Sequence, residues 1–159
     1  MSLVGYECEC VDRCSCFDHV KSSPNLPPRE SRGDVTNPDH YRTHPSGVEC
    51  IDITEYLGFN IGNAIKCLWR AGLKEGSPTM QDMAKARWYL VRAIALGRGV
   101  YDYPITIVDR VLSCEPSALT RVLGALVGVG HHHAIAPRDM GRALVVLDEE
   151  IAKMKGEAA

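Results

Sequence analysis

The stretch GNAIKCLWRAG, residues 62–72, sets Asn63, Lys66 and Arg70 at positions i, i+3 and i+7 of a segment with helical periodicity. At about 100° per residue these side chains form one column, opposite a broad apolar side made of Ile61, Ala64, Ile65, Leu68, Trp69 and Gly72. An amide and two cations present many N–H donors and no carboxylate among them, which suits a phosphate or carboxylate ligand. Arg70 has the fork to grip two phosphate oxygens, and Lys66 adds a point charge. A solvated helix face has the same polar pattern, so the column alone leaves both readings open.

A second column, Lys85, Tyr89 and Arg92, offers a ring able to stack on a base between cations able to meet phosphates. Glu49, Asp52 and Tyr56 form an acidic counterpart, and acidic and basic columns can equally close on each other as salt bridges. The preceding loop carries His40, Tyr41 and His44. Its two histidines lack a third ligand at a telling spacing for a metal. His40 is instead a candidate for proton transfer or a phosphate contact, or a plain hydrogen-bonding loop residue.

Near the start, Cys8, Cys10, Cys14 and Cys16 stand in C-x-C-x3-C-x-C spacing. Four thiolates can enclose Zn²⁺, and His19 could replace one of them, although zinc ribbons usually use two-residue gaps. A reduced tail in a reducing cytosol is the alternative. Cys50, Cys67 and Cys114 lie inside apolar patterns and read as buried thiols. The odd total argues against a full disulfide framework. His131, His132 and His133 are adjacent, and adjacent residues rarely aim at one ion, so they read as a loop with incidental metal affinity.

The elements that must position these residues are helical. Residues 1–35 hold the cysteines and then SSPNLPPRESRGDV, the composition of an irregular tail and linker. Residues 36–99 read as a helical domain: an ordered loop NPDHYRTHPSG, a short helix in VECIDITEYLG, a helix over NIGNAIKCLWRAG, a turn LKEGSP, and a long helix TMQDMAKARWYLVRAIALG. Thr79 is its expected N-cap, with Asp82 three residues on, and Gly97 and Gly99 mark its end. Residues 100–159 read as a helical extension for packing or oligomerisation, with segments ITIVDRVLSC, PSALTRVLGALVGVG and PRDMGRALVVLDEEIAKMK. In the last, Met140, Leu144, Leu147, Ile151 and Met154 make an apolar seam suited to a bundle or dimer helix, with Pro137 in the first turn. The expected fold is all-α, a small helical bundle.

Composition narrows the function. The chain has 159 residues, 45% apolar and 24% charged, with a formal net charge of −2. That is ordinary for a soluble globular protein and lacks the basic excess of a nucleic-acid binder. No apolar run reaches membrane-spanning length, and the N-terminus lacks a secretory pattern, so a cytosolic setting is expected. The P-loop pattern G-x-x-x-x-G-K-[ST] is absent from the sequence.

Taken in order, NPDHY, ECID, F-x-x-GN-x-I-K-x-L-W-R-A-G and D-x-x-K-A-x-W-Y-L, over about residues 36–97, resemble a short phage domain. Its family includes a phage-encoded nucleotide kinase that acts on deoxynucleoside monophosphates without a P-loop. The family pattern falls on Asn37, His40, Tyr41, Glu49, Asp52, Gly62, Asn63, Lys66, Arg70, Ala71, Gly72, Lys74, Asp82, Lys85, Ala86, Tyr89 and Leu90. Two positions depart from it: Cys67 stands where Tyr is usual, and Leu73 where a second Lys is common.

The resemblance implies phosphoryl transfer from a nucleoside triphosphate, in a bacterial host's cytoplasm. Lys66 and Arg70 would clamp phosphate and His40 would accept a proton or contact phosphate. Glu49 or Asp52 would orient a cation, a metal or a sugar hydroxyl. Asn37, Tyr41, Asn63, Lys74, Lys85 and Tyr89 would bind substrate, and Arg92 joins them from the second column. Whether magnesium takes part is left open. A chain this small buries a nucleotide poorly, so a site shared within a homo-oligomer is expected. The alternative is a protein that sequesters nucleotides, including host defence signals, without turning them over.

Overall fold

The computed structural model describes residues 38–97, 100–101, 103, 105–128 and 134–157. The described residues all belong to one compact unit, Arg32–Ala159. Cys8, Cys10, Cys14, Cys16, His19, Asn37 and His131–His133 lie outside them.

The fold is all-α, as the periodicity predicts. A short 3-10 turn, Asp39–Tyr41, is followed by α1 (Cys50–Thr54), α2 (Phe59–Arg70), α3 (Thr79–Leu96), α4 (Ile105–Leu112), α5 (Ala118–Val127) and α6 (Pro137–Glu157). One two-residue antiparallel ladder, β1 (Val100–Tyr101) with β2 (Ala134–Ile135), joins the segments before α4 and α6. Its brevity leaves too little alternation to be read from the sequence.

Local chemistry sets most of the boundaries. The backbone N–H of Glu49 donates to Asp52 Oδ2 at 3.0 Å, which starts α1. The helix is shorter than the 48–58 segment predicts, because its last turn tightens: the N–H groups of Tyr56 and Leu57 reach back to Ile53 and Thr54. In α5, Ser117 and Thr120 form the reciprocal cap, with Thr120 N–H to Ser117 Oγ at 3.2 Å and Ser117 N–H to Thr120 Oγ1 at 2.8 Å. Gly97 ends α3 at φ +61°, as expected of a left-handed cap. The expected start of α3 needs correction. Pro78 holds the N-cap position, Thr79 is the first helical residue, and no side chain caps the helix.

Helix α3 is the centre of the packing. It lies against α2 and α6, and α6 lies against α5. The apolar side of α2 is buried as the helical wheel predicts, through Ile61, Ala64, Ile65, Leu68 and Trp69. It meets Met83, Ala86, Leu90 and Ala93, the buried stripe of α3. The seam of α6 divides: Met140 and Leu147 are fully buried with Ala143, whereas Leu144, Ile151 and Met154 are half-exposed. Its first half is therefore a bundle helix.

The approach of α2 to the end of α1 is close. A Cβ added at Gly62 would stand 3.1 Å from the Thr54 carbonyl oxygen and 3.5 Å from that of Leu57. Gly62→Ala gains helix propensity of about 1 kcal/mol, but forces backbone apart at a cost of about 1–3 kcal/mol. The expected outcome is a lower thermal midpoint than the wild type, measured by circular dichroism.

Candidate functional site

The site is organised by a buried carboxylate. Asp82, on the first turn of α3, is fully buried, and a charge so placed needs a partner. Arg70, on the last turn of α2, supplies it: Nε and Nη2 donate to Asp82 Oδ1 at 3.1 and 2.8 Å. The intervening turn makes this possible. Leu73 and Lys74 N–H groups bond the Arg70 carbonyl, and Gly72 adopts φ +80°, a left-handed conformation that suits glycine. Ser77 Oγ donates to Asp82 Oδ2 at 3.2 Å.

Arg70 also donates from Nη1 to the Tyr41 hydroxyl at 3.2 Å. The sequence column presents Arg70 without an acidic partner, and the structure corrects this by bringing one from the next helix. Burial works to lower the Arg70 pKa, but the hydrogen bonds to Tyr41 and Asp82 outweigh it and hold the guanidinium charged. Of the five guanidinium N–H groups, three are spent on these protein acceptors.

Tyr41 then gathers the rest. Lys66 Nζ lies 5.3 Å from the centre of its ring, a cation–π contact. The His40 ring meets that of Tyr41 edge-on at 4.3 Å. Burial, with Lys74 and Arg70 nearby, pushes the His40 pKa below its ordinary value, which favours the neutral imidazole.

Between α2 and α3 runs a groove of about 500 Å³ lined by Asn63, Lys66, Cys67, Arg70, Lys85, Trp88 and Tyr89. The column Asn63, Lys66 and Arg70 lines it from α2, and Lys85 and Tyr89 of the second column line it from α3, without Arg92. Lys66 and Lys85 are exposed, and Lys85 Nζ is 3.9 Å from Asp82 Oδ1. Asn63 gives one amide N–H to the Phe59 carbonyl at 2.7 Å. Burial raises the Cys67 pKa, so this side chain contributes a neutral thiol where the resembling family usually has Tyr.

Other candidates fall elsewhere. Glu49 is buried and Asp52 serves the start of α1; neither lines the groove. Arg92 turns to Trp88, its guanidinium carbon 5.6 Å from the ring centre. His44 is committed to Ser46, Nδ1 to Oγ 2.8 Å, and packs on Trp69 with ring centres 4.7 Å apart. Among the described residues, no group of three or more His, Cys, Asp or Glu side chains is placed to hold a metal. No helix among them is long and apolar enough to cross a membrane.

Two features go beyond the sequence reading. Asp82 stands there beside the expected cap and in the family pattern, without its pairing to Arg70. Trp88 stands there only within the quoted D-x-x-K-A-x-W-Y-L block, yet it lines the groove and is 57% exposed. Its position three residues after Lys85 is the signal that could have placed it.

Residues 35–91 match the model of a family described as a protein of unknown function, DUF3310. They form a DUF3310 domain. It contains the whole groove lining and coincides with most of the span that resembles the phage kinase, but the match carries no activity with it. No curated protein and no solved structure matches the chain.

Two outcomes follow from the geometry. Asp82→Asn weakens the charged hydrogen bonds to Arg70 and is expected to cost about 1.5–3 kcal/mol of stability, read from urea unfolding. In an NMR titration, His40 should ionise below the midpoint of an unfolded peptide histidine, and Lys74→Ala should move that midpoint upward by removing a nearby cation.

Proposed function

We propose that the groove of the DUF3310 domain binds nucleotide phosphate and that the protein transfers a phosphoryl group to deoxynucleoside monophosphates. The observation that carries this reading is the convergence of Lys66, Arg70 and Lys85 on one groove. Asp82 neutralises part of that charge, and the surplus is positive. Phosphoryl transfer asks mainly for positioning and charge neutralisation, which side-chain cations can supply without a P-loop. The resemblance of residues 36–97 to the phage kinase family supports the choice of reaction.

In this reading Arg70 is a fixed cation, held by Asp82 and Tyr41, with two N–H groups left for phosphate. Lys66 and Lys85 are the mobile cations. An oxygen of the acceptor monophosphate attacks the γ-phosphorus of a nucleoside triphosphate, the bond to the β–γ bridging oxygen breaks, and two diphosphates leave. Neutral His40, beside Tyr41, takes the proton of an acceptor phosphate that arrives singly protonated. Nucleotides, and a second copy of this chain that covers the open groove, are the proposed partners. The proposed setting is a host cytoplasm.

One observation favours a second reading, nucleotide holding without turnover. His40, Glu49 and Asp52 are all absent from the groove lining, which holds no carboxylate and no imidazole. Incubating the protein with a deoxynucleoside monophosphate and a triphosphate donor, followed by chromatography, separates the two. New diphosphate supports the kinase; unchanged nucleotide that co-elutes with protein supports the holder; neither result rejects the groove.

Lys66→Ala is the cleanest variant, because the side chain is exposed and its loss opens no cavity. It should weaken monophosphate binding by about 1.5–3 kcal/mol, roughly ten- to a hundredfold, with an unchanged thermal midpoint. Arg70→Ala is less clean: it strands the buried Asp82 and should destabilise the fold as well.

A further inference from the structure

Three aromatic rings stand together at the edge of the groove, and two are poorly covered. Phe59 is 76% exposed and Trp88 is 57% exposed. Tyr89 lies between them, its ring centre 6.2 Å from Phe59 at 75° and 5.0 Å from Trp88 at 81°. Trp88 and Tyr89 line the groove that holds Lys66 and Lys85. Phe59 lines an adjoining pocket of about 240 Å³ that shares Asn63 and Lys66 with it. The rings and the cations therefore border one continuous depression.

Folding alone gives no reason to leave these rings in water, since each would gain from burial. A ligand with an anionic group and a flat ring satisfies both ends of the depression. Lys85 precedes Trp88 and Tyr89 by about one helical turn, ~5.4 Å along the axis, so phosphate at the cations leaves a sugar's length before the rings. Arg92, stacked on the Trp88 indole at 5.6 Å, restricts its rotamers before any ligand arrives, which lowers the entropy lost on binding.

We infer that Trp88, with Tyr89 and Phe59 beside it, is the platform on which the nucleobase stacks. The inference rests on the groove being a nucleotide site and adds where the base lies. Stacking accepts every base, because each has a π-face. The platform thus contributes affinity across nucleotides and not discrimination by hydrogen bonding.

The test compares two ligands with the same phosphate chemistry, a deoxynucleoside monophosphate and deoxyribose 5-phosphate, by titration calorimetry on the full chain. For the wild type, the nucleotide should bind more tightly. Trp88→Ala should weaken the nucleotide by about fivefold or more, the effect of removing one stacking ring, and leave deoxyribose 5-phosphate unchanged. Trp88→Phe should recover most of the loss. Equal binding of the two ligands by the wild type would overturn the platform while leaving the phosphate groove standing. So would unchanged nucleotide affinity in Trp88→Ala, or an equal loss for both ligands. No binding of either ligand by the wild type would overturn the groove and the platform together.

Discussion

The fully buried carboxylate of Asp82 organises this domain. Asp82 has no exposure to solvent, and an uncompensated carboxylate there would cost several kcal/mol. Arg70 must therefore fold back from the end of α2 onto the start of α3. That requirement fixes the turn between the helices and sets α2 and α3 at the spacing that leaves a groove. It also places the Arg70 Nη1 group against Tyr41, which draws the 3-10 turn and His40 to the same corner. The Arg70 cation is thus anchored by one ion pair and not only by the apolar packing beneath it.

The anchor changes what Arg70 can do. A freely rotating arginine can grip two phosphate oxygens, but here the Nε and Nη2 groups are occupied by Asp82. What remains is a pre-positioned charge with fewer donors, flanked by Lys66 and Lys85, which are exposed and able to adapt. Cys67 leaves a neutral, buried thiol in the groove floor. The groove thus has a fixed cation at one end and aromatic rings at the other.

Much of this was legible in the sequence, because helical spacing carries it. Asn63, Lys66 and Arg70 share a column at i, i+3 and i+7, and of the apolar residues opposite them Ile61, Ala64, Ile65, Leu68 and Trp69 are buried, whereas Gly72 lies past the helix end and is exposed. Lys85 and Tyr89 emerge from the same geometry on α3. What spacing along one helix cannot reveal is pairing between helices. Arg70 and Asp82 are twelve residues apart across a turn, and only the turn's path makes them partners. The same limit hid the exposure of Trp88 and sent Arg92 to its ring instead of the groove. Thr79 was misleading because Pro78 already terminates the turn, so the helix begins without a side-chain cap.

The central claim is that the groove between α2 and α3 receives the phosphate of a nucleotide. Its most direct test is chemical-shift mapping by NMR, with a deoxynucleoside monophosphate titrated into isotope-labelled protein. The account predicts saturable shifts centred on Asn63, Lys66, Lys85 and the Trp88 indole N–H, with His40 moving toward its protonated form as negative charge arrives. Shifts centred on another surface, or none at saturating ligand, would contradict it.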